Sequence, residues 1–240
     1  MVERLSIEGQ QRQMWQRLLN RLLPQDCQLC GKPDAGDLLC TACLADLPRL
    51  PAGHCPLCAL PAPAGAVCGG CLRHPPHFDA THASLVYAFP VDQLVQAFKY
   101  GHQLALAGLF ARLMRNEPAI DADVMIPLPL SQQRLRERGF NQAVEIARPL
   151  ARANGIALDL QATARVADTA AQAGLPWKER RANIRHAFEC RMDLSDKSVV
   201  VVDDVMTSGA TLDEFARILK LHGATRVTNW VLARTLKHEP

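Results

Sequence analysis

From Phe78 to the end of the chain, short apolar runs alternate with longer stretches in which apolar residues recur every three or four positions. The short runs are typical of β-strands, and the longer stretches are typical of amphipathic helices. Strands that alternate with helices predict an α/β fold, in which helices flank a parallel β-sheet. Residues 199–202 are four consecutive valines, which indicates a central strand covered on both faces.

The pattern predicts each element of this fold. The predicted strands are 79–89, 123–130, 157–167, 198–205 and 226–236. The predicted helices are 91–116, with a break at Gly101, then 131–155 and 211–223. Another short helix is predicted over 10–23, where Trp15 and several leucines repeat at helical spacing before Pro24 ends it.

The first third of the chain is rich in cysteine. Eight of the nine form four CxxC pairs, Cys27/Cys30, Cys40/Cys43, Cys55/Cys58 and Cys68/Cys71. Two such pairs can hold four thiolates around one tetrahedral Zn²⁺, so about two structural zinc ions are expected. A disulfide framework is disfavoured because the N-terminus has no secretory signal pattern. The spacing leaves open whether each half binds its own ion or the pairs interleave.

The cysteine pairs define an N-terminal double zinc ribbon. The predicted domains are a helix over 1–23, the ribbon over 24–77 and the α/β domain over 78–240, with the boundary marked by Pro75 and Pro76. The ribbon has three basic and four acidic side chains, and Cys₄ zinc sites add negative charge. Binding to a phosphate backbone needs the opposite sign. Nucleic-acid binding by the ribbon is therefore not expected, and the metals are interpreted as a substitute for a small core.

Overall charge and hydropathy exclude other classes. The formal net charge is +3, too mild to indicate a polyanion partner. No apolar run approaches the roughly 18 residues of a membrane helix. We expect a cytoplasmic protein without a membrane span. Cys190, which has no partner pattern, is interpreted as a plain apolar residue.

Candidate chemistry follows the valine run. Asp203 and Asp204 end this strand, and ligands of open parallel sheets bind beyond the carboxyl ends of the strands. The next segment, MTSGAT, combines small residues with the start of a helix, which favours binding of a phosphate group. The two carboxylates can accept hydrogen bonds from hydroxyl groups of the same ligand. A sugar phosphate carries both kinds of group.

The stretch VVVVDDVMTSGAT resembles the signature with which type I phosphoribosyltransferases bind 5-phosphoribosyl 1-pyrophosphate (PRPP). RERGFNQA, QAGLPWKERRANIRHAF and the double zinc ribbon make the chain similar to the ComF family of competence-related proteins, which includes GntX-type DNA-utilisation proteins. The resemblance covers nearly the whole chain. It implies a type I phosphoribosyltransferase-like sheet behind the ribbon.

The resemblance also implies roles for individual residues. Asp203 and Asp204 would be the catalytic pair that holds the ribose hydroxyls. The 5′-phosphate would be held by Val205, Met206, Thr207, Ser208, Gly209, Ala210 and Thr211. Pyrophosphate would be near Arg134, Arg136 and Arg138, under a mobile loop that carries Lys178, Arg180, Arg181 and Arg185. Mg²⁺ would enter bound to PRPP.

Two functions remain open at this point. The protein could be a phosphoribosyltransferase whose acceptor no motif marks. Alternatively, it could be a non-catalytic adaptor that senses PRPP or a nucleotide and works with proteins of the DNA-uptake machinery. The intact acid pair favours retained chemistry, whereas the family's link to competence favours the adaptor.

Overall fold

The computed structural model describes residues 26–33, 38–115, 120–166 and 184–236. The predicted helix over 10–23 and the loop residues Lys178, Arg180 and Arg181 lie outside these ranges. The chain divides into two compact units, Met1–Leu47 and Pro48–Pro240. This division lies inside the predicted ribbon. The predicted domain bounds stay a prediction.

The first unit contains the first two CxxC pairs and a short helix, α1 (Thr41–Ala45). Cys40 precedes this helix in an extended conformation, and its sulfur accepts a hydrogen bond from the Cys43 N–H. The cysteine therefore takes the place of the usual N-cap oxygen, which satisfies one of the free N–H groups at the helix start.

The second unit is built on a five-stranded sheet. In chain order its strands are β1 (Ala80–Val86), β2 (Val124–Pro127), β3 (Ala157–Leu158), β4 (Thr163–Arg165), β5 (Phe188–Cys190), β6 (Ser198–Met206) and β7 (Arg226–Arg234), of which β4 and β5 form a separate antiparallel pair. The main sheet has the order β1-β7-β6-β2-β3, and all of its neighbours run parallel. The predicted parallel sheet is confirmed.

Helices connect these strands. They are α2 (Gly69–Arg73), α3 (Val91–Tyr100), α4 (Leu106–Met114), α5 (Gln132–Arg138), α6 (Gln142–Asn154) and α7 (Ala210–Leu221), with one 3₁₀ turn at Pro63–Gly65. The predicted break at Gly101 is confirmed, since α3 ends at the residue before it.

Two predicted elements are wrong as single segments. The helix over 131–155 is interrupted because Gly139 ends α5 in the left-handed conformation (φ +76°), and Asn141 then begins α6 by accepting a hydrogen bond from the Ala143 N–H. The strand over 157–167 is divided into β3 and β4. There the Asp159 carboxylate accepts from the N–H groups of Gln161 and Ala162, at 2.7 and 2.6 Å, which turns the chain out of the main sheet.

The core of the second unit includes cysteines as well as aliphatic and aromatic residues. Val199 to Val202 are each 0–1% exposed, as the unbroken apolar run predicts. Cys55, Cys58 and Cys71 belong to the same buried cluster as Phe188 and Phe215 on the face covered by α7. Cys190 is also in this cluster. In the described part of the chain, no helix has both the length and the apolar character required to cross a bilayer.

Candidate functional site

The acid pair lies where the sheet is open at its carboxyl edge. Strand β2 ends at Pro127, which pairs with Val202, while β6 continues beside β7 as far as Met206. Asp203 and Asp204 thus extend past the end of one neighbouring strand. The Asp204 N–H donates to Asp203 Oδ1 at 2.9 Å. This is the edge at which parallel sheets bind ligands.

Asp204 is buried and paired with a lysine that the sequence analysis did not name. Lys99 Nζ, on α3, lies 2.7 Å from Asp204 Oδ2. Burial alone would lower the pKa of Lys99, but the charge of Asp204 and its hydrogen bond outweigh burial and raise that pKa. Lys99 is therefore held in its charged form. The signal was present in the sequence, since Lys99 continues the four-residue spacing of the buried Val91 and Val95.

Asp203 has a different electrostatic environment from its neighbour. Burial and, next, the negative charge of Asp204 raise the pKa of Asp203 to about 8, and Lys99 offsets only part of this increase. Such a carboxyl group is largely protonated at neutral pH. The site thus combines an acid that is paired with Lys99 and an acid that can both donate and accept a hydrogen bond.

The segment after the acids makes a tight turn into α7. Gly209 is the N-cap of this helix and has φ +81°, a left-handed conformation that glycine adopts without steric cost. The Ala210 N–H donates to Ser208 Oγ at 3.3 Å. Backbone N–H groups at the start of a twelve-residue helix are suited to an anion. We call Met206–Thr211 the phosphate loop.

The segment RGFNQ reaches the neighbourhood of the acid pair through aromatic contacts. The Arg138 guanidinium lies 5.2 Å from the centre of the Tyr100 ring and donates to the Tyr100 hydroxyl at 3.2 Å. Phe140 packs against Phe98, with ring centres 5.5 Å apart. The charge of Arg138 also acts against the raised pKa of Lys99, so Arg138 lies near the lysine that pairs with Asp204.

The other predicted basic residues are less closely tied to the acids. Arg134 is partly buried on α5, and its backbone N–H donates to Ser131 Oγ at 3.4 Å. Arg136, also on α5, and Arg185, before β5, are exposed. Their roles toward pyrophosphate stay predictions.

The cysteines form two separate quartets, so each half of the ribbon supplies its own site. The first is Cys27, Cys30, Cys40 and Cys43, and the second is Cys55, Cys58, Cys68 and Cys71, with the sulfurs of each quartet within 4.8 Å of one another. Sulfur–sulfur distances of 3.7 and 3.6 Å fit a tetrahedron of Zn–S bonds of about 2.3 Å, whose edges measure about 3.8 Å. Both quartets therefore fit Zn²⁺.

A cavity of about 330 Å³ separates the second quartet from the phosphate loop. Its lining includes Cys58 and Cys71 on one side and Thr207 and Ser208 on the other. Arg234, the last residue of β7, also lines it. The second zinc site and the phosphate loop therefore line the same cavity.

Comparisons with known proteins agree with this arrangement. Residues 18–72 match the double zinc ribbon domain, and residues 138–239 match the phosphoribosyl transferase domain. The chain is thus a phosphoribosyltransferase-domain protein with an N-terminal double zinc ribbon. It is 35% identical over 158 residues to the DNA utilization protein YhgH of Salmonella typhi, which covers 62% of this chain and 70% of that protein. It belongs to the ComF family of competence and DNA-utilisation proteins, as the sequence resemblance predicted.

Two further similarities were found. Competence protein F of Haemophilus influenzae is 33% identical over 159 residues, or 62% of this chain and 69% of that protein. Among solved structures, the chain is similar to the glutamine phosphoribosylpyrophosphate (PRPP) amidotransferase from B. subtilis complexed with ADP and GMP. The alignment covers 53% of this chain and 26% of the amidotransferase chain. Its TM-score is 0.39 and its sequence identity is 22%.

Proposed function

We propose that the protein binds PRPP with Mg²⁺ at the carboxyl edge of the sheet. In this proposal Asp203 and Asp204 accept hydrogen bonds from the ribose hydroxyls, and the phosphate loop holds the 5′-phosphate. The observation that carries the proposal is the direct succession of the acid pair, the turn at Gly209 and the start of α7. A ligand that joins a diol to a phosphate matches this order of groups.

Phosphoribosyl transfer is the reaction that such a site supports best. The bond between the anomeric carbon and pyrophosphate breaks, the carbon forms a bond to a nitrogen of the acceptor, and that nitrogen loses its proton. The transition state has oxocarbenium character, so fixed charges contribute more than a strong base. Mg²⁺, when bound, neutralises charge on the departing pyrophosphate. Lys99 is paired with Asp204, and Arg138 is close enough to act on the charge of Lys99, so both are cations of this site.

Asp203→Asn tests the binding proposal. The substitution keeps the Asp204–Lys99 pair and removes the ionisable acid, so its effect should be greatest where Asp203 is ionised. A charge-assisted hydrogen bond contributes roughly 1.5–3 kcal/mol, so calorimetric titration with PRPP and Mg²⁺ at about pH 8.5 should give at least about tenfold weaker binding. Wild-type affinity should rise with pH through the pKa of about 8, whereas that of the variant should change little.

Asp121→Asn is the matched control, because Asp121 is exposed and the charge change is the same. Its affinity for PRPP should equal that of the wild type. A wild-type protein that does not bind PRPP, or an Asp203→Asn variant that binds as tightly as the wild type at about pH 8.5, contradicts the proposed site.

A non-catalytic role in DNA utilisation is the second candidate. It is supported by the names of the relatives, which refer to DNA utilization and competence and not to a reaction. Incubation with PRPP and a panel of nitrogen heterocycles distinguishes the two candidates. Release of pyrophosphate with one acceptor supports transfer. Tight PRPP binding without release across the panel supports the adaptor, acting with other proteins of DNA uptake.

A further inference from the structure

Arg234 is a buried charged residue at the end of an apolar strand. It is the last residue of β7 and is 2% exposed, after a run of buried residues from Val227 to Ala233. Burial of a guanidinium is costly unless its N–H groups are paired. The hydrogen-bond partners of Arg234 therefore indicate the role of this buried side chain.

Those partners are backbone carbonyls from three parts of the second unit. Nε donates to the Cys58 carbonyl at 2.7 Å, and Nη1 donates to the Met206 carbonyl at 2.9 Å. Nη1 also donates to the carbonyls of Thr207 and, at 2.9 Å, Thr235. One guanidinium thus connects a ligand residue of the second cysteine quartet with the first two residues of the phosphate loop.

These contacts fix the direction of the N–H groups in the loop. Because a trans peptide is planar, its C=O and N–H point in opposite directions. Arg234 and the Thr235 N–H, the latter at 3.0 Å, both donate to the Met206 carbonyl, and Arg234 also donates to the Thr207 carbonyl. The N–H groups of Thr207 and Ser208 therefore point away from Arg234. Two N–H groups are thereby aligned on the opposite side of the loop, where an anion can accept from both.

The second quartet is placed to hold Arg234 in this position. Cys55, Cys58 and Cys71 are at most 8% exposed and pack in the core together with Met206. A Cys₄ zinc site has a formal charge of −2, which complements the buried guanidinium, and partners outside the ligand set commonly orient such sites. The two quartets differ in this respect. Cys30 occupies in the first quartet the position that Cys58 occupies in the second, and Cys30 is exposed.

We propose that Arg234 is a positioning residue through which the second zinc site, and not the first, holds the phosphate loop in its anion-binding conformation. Loss of zinc from the second quartet releases the Cys58 carbonyl, Arg234 loses its fixed position, and the loop N–H groups lose their alignment. The identity of the anion rests on the proposed function. The dependence of the loop on the second zinc site does not.

Hydrogen exchange of the full chain during titration with a zinc chelator tests this dependence. Peptides covering 205–211 should exchange at least about tenfold faster once peptides covering 55–71 lose protection. Helix α6, which packs against α4, β2 and β6, should stay protected at that point. A loop that stays protected after zinc leaves the second quartet overturns the proposal. Loss of α6 protection in the same step also overturns it, because zinc would then support the whole fold.

Matched variants separate the two zinc sites. Cys71→Ser and Cys43→Ser remove one ligand from the second and first quartets, respectively, and each should cost about one zinc ion per chain. Cys71→Ser should accelerate loop exchange and weaken binding of ribose 5-phosphate about tenfold or more. Cys43→Ser should leave both at wild-type values. Equal effects of the two variants overturn the proposal.

Arg234→Lys tests the residue itself, because lysine keeps the charge and loses the fork that reaches several carbonyls. Loop exchange should increase as in Cys71→Ser, while zinc content stays at the wild-type value. If Arg234→Lys does not fold, the comparison of the two cysteine variants decides the proposal. A wild-type protein that does not bind ribose 5-phosphate contradicts the proposed function, and the exchange results then decide the role of Arg234 separately.

Discussion

Two lysine–aspartate ion pairs of this protein have the same distance between nitrogen and oxygen but differ in burial. Nζ and the carboxylate oxygen are 2.7 Å apart both in Lys99–Asp204 and in Lys220–Asp79. The side chains are 18% and 8% exposed in the first pair, against 29% and 39% in the second. Exposed pairs contribute about 0–1 kcal/mol, whereas removal of one partner from a buried pair costs about 3–5 kcal/mol.

Lys99→Met should therefore destabilise the protein by roughly 3 kcal/mol, because it leaves Asp204 buried beside Asp203 without a cation. Lys220→Met should cost about 1 kcal/mol or less. Chemical denaturation of both variants measures the difference. Addition of Asp204→Asn should recover most of the loss in Lys99→Met. Equal losses of stability in the two lysine variants would mean that burial does not determine how much the Lys99–Asp204 pair contributes to stability.

Asp203 should make the unliganded protein less stable as pH rises. Its folded-state pKa, about 8, lies above the ordinary value of 3.8, so between these values the folded state binds a proton that the unfolded state has released. The free energy of unfolding then falls with increasing pH across that window. Thermal unfolding from about pH 4 to about pH 8 should show this decline in the wild type and a smaller one in Asp203→Asn. Identical pH profiles would contradict the raised pKa.

At the scale of elements, the turn at Gly209 joins β6 to α7 and shapes the phosphate loop. A Cβ at this position would lie 2.6 Å from Met206 Cε, and φ is +81°. Gly139 has a similar φ of +76°, but no atom lies within 4 Å of its Cβ position. The two glycines share the conformational requirement and differ only in their contacts.

Gly209→Ala and Gly139→Ala should each lower stability by about 1 kcal/mol, the cost of a left-handed non-glycine residue. Gly209→Ala alone should also weaken ribose 5-phosphate binding, because the added methyl group would displace the buried Met206 side chain within the phosphate loop. Titration of both variants checks this. A similar affinity loss in Gly139→Ala would show that the effect is general and not specific to the loop.

The elements that sequence periodicity predicted well are those with a single environment along their length. The valine run of β6 and the acid pair at its end follow from an unbroken apolar pattern and a sharp change to charge. Segment 131–155 keeps a helical pattern on both sides of Gly139, so its interruption depends on the glycine's backbone and not on periodicity. Strand β5 has three residues, too few to show a period.

Site residues contributed by distant elements were harder to predict. Lys99 and Arg234 lie 105 and 30 residues from Asp204. The helical spacing of Lys99 after Val91 and Val95 indicates the buried face of its helix, whereas Arg234 has the sequence position of an exposed strand end. Only the fold shows which partners each of them has. The two acids were found because adjacent like charges after a buried strand already indicate a ligand.

At the scale of the whole molecule, the two zinc sites should differ in how readily they lose metal. The second quartet has three buried cysteines and one, Cys68, that is partly exposed. The first has one buried cysteine, Cys27, while Cys40 and Cys43 are partly exposed and Cys30 is exposed. A chelator reaches exposed ligands first. We therefore expect zinc release in two phases of about one ion each, with the first quartet responsible for the fast phase.

Zinc release followed with a chromogenic chelator measures these phases. Cys43→Ser should remove the fast phase and leave the slow phase unchanged. A single phase of two ions, or a fast phase that survives in Cys43→Ser, would contradict the assignment. Elemental analysis showing no zinc, with disulfides in its place, would contradict the metal sites altogether.

The edge of the sheet at β1 has a consequence for how the second unit can be produced as a fragment. The Val86 N–H donates to the Pro48 carbonyl at 2.8 Å, and the Leu50 N–H donates to the Ser84 carbonyl at 3.1 Å, so residues 48–50 cover the outer side of this strand. Bare strand edges recruit other chains and lead to aggregation. Expression from Phe78 onward would uncover this edge and yield inclusion bodies, whereas a fragment that begins at Pro48 keeps its own protective segment.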